Sequence, residues 1–128
     1  MDEIWTARAL SVLRIVTALL FFEHGTSKLF GFPPSPMHVH NLMSMLFFSA
    51  VLELVGGFLL ALGLFTRPVA FILSGEMAVG YFMVHAPINF FPILNHGDSA
   101  IQYCFVFLYF FFAGPGPWSL DALLQRAK

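Results

Sequence analysis

Four apolar runs, each near the length that crosses a lipid bilayer, dominate this chain of 128 residues. A helix needs roughly 20 mostly apolar residues to span hydrocarbon, since each residue rises about 1.5 Å and every backbone polar group must be satisfied internally. The first run covers residues 7–29 and ends at Gly31-Phe32-Pro33-Pro34-Ser35-Pro36, a stretch that cannot stay helical. The second covers 41–65 and stops before Thr66-Arg67-Pro68. The third, 69–86, lies between Pro68 and Pro87. The fourth, 98–113, is shorter and ends at Gly114-Pro115-Gly116-Pro117. Short connections make neighbouring spans antiparallel, so the expected fold is an all-α integral membrane four-helix bundle, one domain over 1–128. Composition agrees. Charged residues are 10% of the chain, against about 25% in a soluble fold, and mean hydropathy is +0.82. A formal net charge of −1 gives no basic surface for nucleic acid.

The basic residues set the expected orientation. Arg8, Arg14, Arg67, Arg126 and Lys128 fall towards one side and Lys28 towards the other. The positive-inside rule then puts both termini and the Arg67 turn in the cytoplasm. Trp5 and Trp118 flank the bundle at that same interface. Asp2 and Glu3 stand where a signal peptide would carry basic residues, so no cleaved leader is expected. Gly57-x-x-x-Ala61 and Ser74-x-x-x-Ala78 offer small faces for close helix packing.

Ionisable residues inside the apolar runs are the candidate functional groups. A charge at the bilayer centre costs roughly 2.5 to 3.5 kcal/mol on insertion scales, so such residues turn inward and find partners. Glu23, His24 and Lys28 share the first span, Glu53 is mid-span in the second, Glu76 mid-span in the third, and His85 closes the third. Counting from level helix ends puts Arg14 beside Glu76 as a structural ion pair. The same count puts Glu53 beside the Glu23-His24-Lys28 face as one shared pocket. Structural glue is the plainer alternative for all of them.

Other chemistries find little support. The lone Cys104 cannot form an internal disulfide and reads as a packing residue. His38 and His40 would bind metal only weakly, and the spacing lacks the Glu-x-x-His pattern of di-iron bundles, so no metal site is expected. Haem has no supporting motif, and no phosphate loop or nucleophile elbow occurs.

Arg14 to Leu29 reads RIVTALLFFEHGTSKL; Glu53-Leu-Val-Gly-Gly and Gly63-Leu-Phe-Thr-Arg67 follow. Then come Glu76-Met-Ala with His85, Phe91-Pro-Ile-Leu-Asn95, and Gly114-Pro-Gly-Pro-Trp-Ser-Leu-Asp121. In order and together, these resemble the DoxX family of small bacterial membrane proteins. At Asn95-His96-Gly97-Asp98 the family usually reads Asn-Gly-Gly-Glu, so the acid here is shorter. The resemblance implies a four-span inner-membrane protein tied to membrane redox complexes. The family name comes from a subunit of thiosulfate:quinone oxidoreductase, and family members are biochemically diverse.

Two functions are therefore expected to compete. The first is a redox-associated subunit that handles quinone or protons for a partner oxidoreductase through Glu23, His24, Lys28, Glu53, Glu76, His85 and Asn95. Quinone is the one cofactor this setting suits, and a partner must carry the electrons. The second is a non-enzymatic carrier, exporter or assembly factor for a small or lipid-like molecule, working as a homo-oligomer.

Overall fold

The chain turns back on itself wherever glycine and proline interrupt its apolar runs. A computed structural model describes residues 2–35 and 44–127. Among these, all regular structure is helical. The long helices are α1 (Glu3–Phe30), α2 (Met45–Leu62) and α3 (Thr66–Gly80). The last continues through a π-helical turn, Tyr81–His85. A single helical turn, α4 (Pro92–Asn95), then leads into α5 (Asp98–Ala113) and the short α6 (Leu120–Arg126).

α1, α2 and α3 with its π turn are long and apolar enough to cross a membrane; α5, at 16 residues, is a shorter apolar helix. At about 1.5 Å per residue α5 falls short of a hydrocarbon core about 30 Å thick. The exposed side chains of Phe90, Phe91, Ile93 and Leu94 carry the apolar surface beyond its start. The whole exterior is inverted relative to a soluble protein: Leu19, Leu20, Phe58, Phe71, Phe105 and Phe112 are all at least half exposed. This is the fold of an all-α integral membrane bundle.

The helices form two tight pairs, α1 with α2 and α3 with α5, while α2 and α3 touch much less. Glycine explains the first pair. A Cβ on Gly25 would stand 2.7 Å from the Leu54 nitrogen, and one on Gly57 would stand 2.9 Å from the Phe22 Cα. Backbone therefore lies on backbone, as small residues permit in lipid. Across the second pair, the Ser74 hydroxyl donates to the Cys104 carbonyl at 2.8 Å. Phe21, Leu60, Leu73, Phe107 and Phe110 fill the centre, with the Phe21 and Phe107 rings edge to face at 4.8 Å.

The end that holds both termini is latched by polar groups. Arg14, fully buried, donates from Nε to the Leu60 carbonyl at 2.8 Å and from Nη2 to the Trp118 carbonyl at 2.7 Å. Its Nη1 donates to the Pro115 carbonyl. Asp121 accepts from the backbone N–H groups of Phe65 and Thr66, both at 2.9 Å, and so caps the start of α3. Arg67 donates to the carbonyls of Phe111 and Phe112, closing α5.

The expected ion pair between Arg14 and Glu76 does not form. Helix ends at this side are not level: α1 starts at Glu3, about three turns before Arg14, so Arg14 meets the last turn of α2. Glu76 lies further up α3 and bonds Ser49 instead. The loop pair His38 and His40 lies outside the described residues.

Candidate functional site

The loose seam between α2 and α3 opens into a cavity of about 510 Å³, within the usual range for small-molecule sites. Its rim is apolar: Met45, Phe48, Ile72, Val79 and Met83 all line it, and each is more than half exposed on the bundle exterior. The cavity therefore faces what surrounds the helices, which for this fold is lipid. Its polar lining comes from Lys28 on α1, Ser49 and Glu53 on α2, and Glu76 and His85 at the α3 side.

Four of these groups form one hydrogen-bonded chain. The Lys28 ammonium donates to Glu53 Oε1 at 2.7 Å and to the Ser49 hydroxyl at 3.2 Å. The Ser49 hydroxyl lies 2.8 Å from Glu76 Oε1 and 3.4 Å from Glu53 Oε1. Ser49 and Glu53 are four residues apart, so they share one face of α2. Glu53 is only 2% exposed. The second carboxyl oxygens of Glu53 and Glu76 are buried without a hydrogen-bond partner. Such unpaired buried acceptors are costly and call for an explanation. One lysine also stands against two carboxyls, so one more proton or one more donor completes the cluster.

α3 leaves the cavity unusually open. A Cβ built on Gly75 or Gly80 would meet nothing within 4 Å, so no packing contact in the bundle requires glycine at either position. Both line the cavity. Glycine costs roughly 0.8 to 1.0 kcal/mol against alanine in a helix, yet here it only widens a space.

The π turn supports the far end of the cavity. π turns are frequent at functional sites. This one brings Tyr81 and His85 onto Asn95, which is fully buried. Asn95 Nδ2 donates to the Tyr81 hydroxyl at 3.1 Å and the Asn89 carbonyl at 2.9 Å, and its Oδ1 accepts from the Gly97 N–H. His85 Nδ1 lies 2.9 Å from the Asn95 carbonyl. A carbonyl only accepts, so Nδ1 carries the hydrogen, and in the neutral ring Nε2 is then the acceptor.

Of the residues marked by sequence, Lys28, Glu53, Glu76 and His85 line the cavity. Asn95 does not; it organises the loop that holds His85. Glu23 and His24 are exposed side chains outside the lining. The His24 ring instead donates to the Leu20 carbonyl and meets Tyr103 edge to face at 5.8 Å. The single face expected for Glu23, His24 and Lys28 is thus divided, with only Lys28 turned to α2. Sequence reasoning missed Ser49, Gly75 and Gly80. The signal for Ser49 was its place one turn before Glu53. Among the described residues no cluster of three or more metal-ligating side chains occurs.

The fold is that of a small α-helical membrane protein, and its α2/α3 cavity has an apolar rim over a polar floor. The DoxX family model matches residues 9–86, and the chain belongs to that family. It is also 48% identical over 117 residues to an uncharacterized protein of Haemophilus influenzae, covering 88% of this chain and 87% of that one. No solved structure matches.

Proposed function

We propose that this protein is a redox-associated subunit of the bacterial inner membrane whose α2/α3 cavity holds the polar head of a quinone. The observation that supports this most is the pair of buried, unpaired carboxyl oxygens on Glu53 and Glu76 beneath an apolar, lipid-facing rim. A quinone needs both parts: apolar walls for ring and tail, and groups that exchange hydrogen bonds and protons with its oxygens. When bound, it carries two electrons and two protons between proteins in the membrane. Lys28 fixes Glu53, and the Ser49 hydroxyl links Glu53 to Glu76, so a proton arriving at one carboxyl has a path to the other. The lone Cys104 cannot cycle as an internal disulfide, which leaves the electrons to a partner oxidoreductase.

The same seam favours one further reading, a proton-driven carrier or assembly factor for another amphipathic molecule, built as a homo-oligomer. For orientation, Arg8, Arg67 and Arg126 sit at the end with both termini, which the positive-inside rule assigns to the cytoplasm. The cavity then belongs to the opposite half of the membrane.

Co-purification tests the proposal. Protein extracted gently from bacterial membranes should carry quinone detectable by mass spectrometry. Gly80→Leu, whose Cβ has no atom within 4 Å and whose side chain starts from the cavity wall, should lose at least about nine-tenths of it, a tenfold weakening that corresponds to about 1.4 kcal/mol. Equal quinone in both proteins, or none in either, would count against the quinone reading.

A further inference from the structure

We infer that the floor of the α2/α3 cavity selects the reduced, hydroxyl-bearing quinol over the oxidised quinone. The inference rests on reading the cavity as a quinone site, and it follows from which hydrogen-bonding capacities the cluster has already used.

The donors are largely engaged. Lys28 directs two of its three N–H groups to Glu53 and Ser49, which leaves one donor against the two orphaned acceptors. Ser49 has one proton, and its closer carboxyl neighbour is Glu76. The acceptors are in surplus. Glu53 Oε2 and Glu76 Oε2 are buried with no partner, and Glu53 is almost fully shielded. Both carboxyls lie within reach of the same serine hydroxyl and both residues line the cavity, so a small rotation of either side chain turns its buried oxygen towards a polar head held there.

Quinone carbonyls only accept hydrogen bonds. Set against two carboxyls in their ionised form, which a mildly alkaline medium favours, they leave both sides unsatisfied. Quinol hydroxyls donate, and a donor is what each orphaned oxygen lacks. Hydrogen bonds with an ionised partner are the stronger kind. The two redox forms share ring and tail, so their contacts with Met45, Phe48, Val79, Met83 and the open backbone at Gly75 and Gly80 are common to both. The head alone distinguishes them. In the neutral ring His85 Nε2 is an acceptor, because Nδ1 serves the Asn95 carbonyl, and so adds no donor to this balance.

Binding of a decyl benzoquinone and of its quinol to the full chain in detergent, compared without oxygen at mildly alkaline pH, tests the selection. The quinol should bind at least about tenfold tighter, which is about 1.4 kcal/mol. Equal binding, or tighter binding of the quinone, overturns the selection and leaves the quinone site standing. Binding of neither form overturns both. Glu76→Gln supplies an amide donor where the acceptor was and keeps a partner for Ser49, so it should bring the preference to within about threefold, roughly half the free-energy difference. An unchanged preference in folded Glu76→Gln protein, with folding verified by an unaltered melting transition, overturns the assignment to this carboxyl. If that variant does not fold, Glu53→Gln combined with Lys28→Met removes the ion pair as a unit and carries the same expectation.

Discussion

Lys28 and Glu53 meet where an isolated charge would be expensive. Each lies on a helix inside an apolar bundle, and the ammonium and carboxylate are 2.7 Å apart. Removing one partner leaves the other exposed to that cost, so the single changes Lys28→Met and Glu53→Gln should each destabilise the protein more than half as much as the pair. A double-mutant cycle on thermal unfolding in detergent should give a coupling of about 1 to 2 kcal/mol, the upper part of the range for polar contacts between membrane helices. Additive effects would mean the two groups do not depend on each other. That Lys28 should turn towards α2 was readable from burial cost and helical spacing alone. The partner of Arg14 was not. Its guanidinium is satisfied by the carbonyls of Leu60, Pro115 and Trp118, and nothing in a one-dimensional count signals that backbone will replace a carboxylate. A similar limit applies at His96. It adopts a left-handed backbone, φ 62°, where the family pattern usually has glycine, and only the folded chain shows why glycine suits that position.

The helices differ in how they use glycine, and this difference has a direct consequence. On α1, Gly25 is pressed against the backbone of α2, so any side chain there must push two helices apart. On α3, Gly80 faces open space. Gly25→Leu should therefore lower stability by about 2 kcal/mol or more, in the range for overpacked cores, whereas Gly80→Leu should leave the melting temperature unchanged or raise it. Thermal unfolding of the two variants side by side measures this. Equal destabilisation would mean that the α2/α3 seam is closed. The element boundaries were largely legible because proline and glycine mark them. Two details were not: the helix ends are not level, so that Arg14 sits beside the last turn of α2, and the π turn at Tyr81–His85, whose sequence carries no interruption.

At the scale of the whole molecule, packing is uneven by design of the sequence. Phenylalanines 21, 107 and 110 with Leu60 and Leu73 fill the centre, and polar latches from Arg14, Arg67 and Asp121 close the end with the termini. The other half of the α2/α3 seam is left apart, with its charged floor at Lys28, Ser49, Glu53 and Glu76. Membership of the DoxX family and the membrane fold stand independently of any ligand. The role of the cavity is what remains to be put to the molecule itself. A quinone analogue with a photoreactive ring, activated in membranes containing the intact protein, measures it most directly. Crosslinks mapped by mass spectrometry should fall on cavity residues of α2 and α3, such as Met45, Phe48, Met77 and Met83, and should disappear in Gly80→Leu protein. Crosslinks spread over the exposed faces of α1 and α5, unaffected by Gly80→Leu, would contradict a site between α2 and α3.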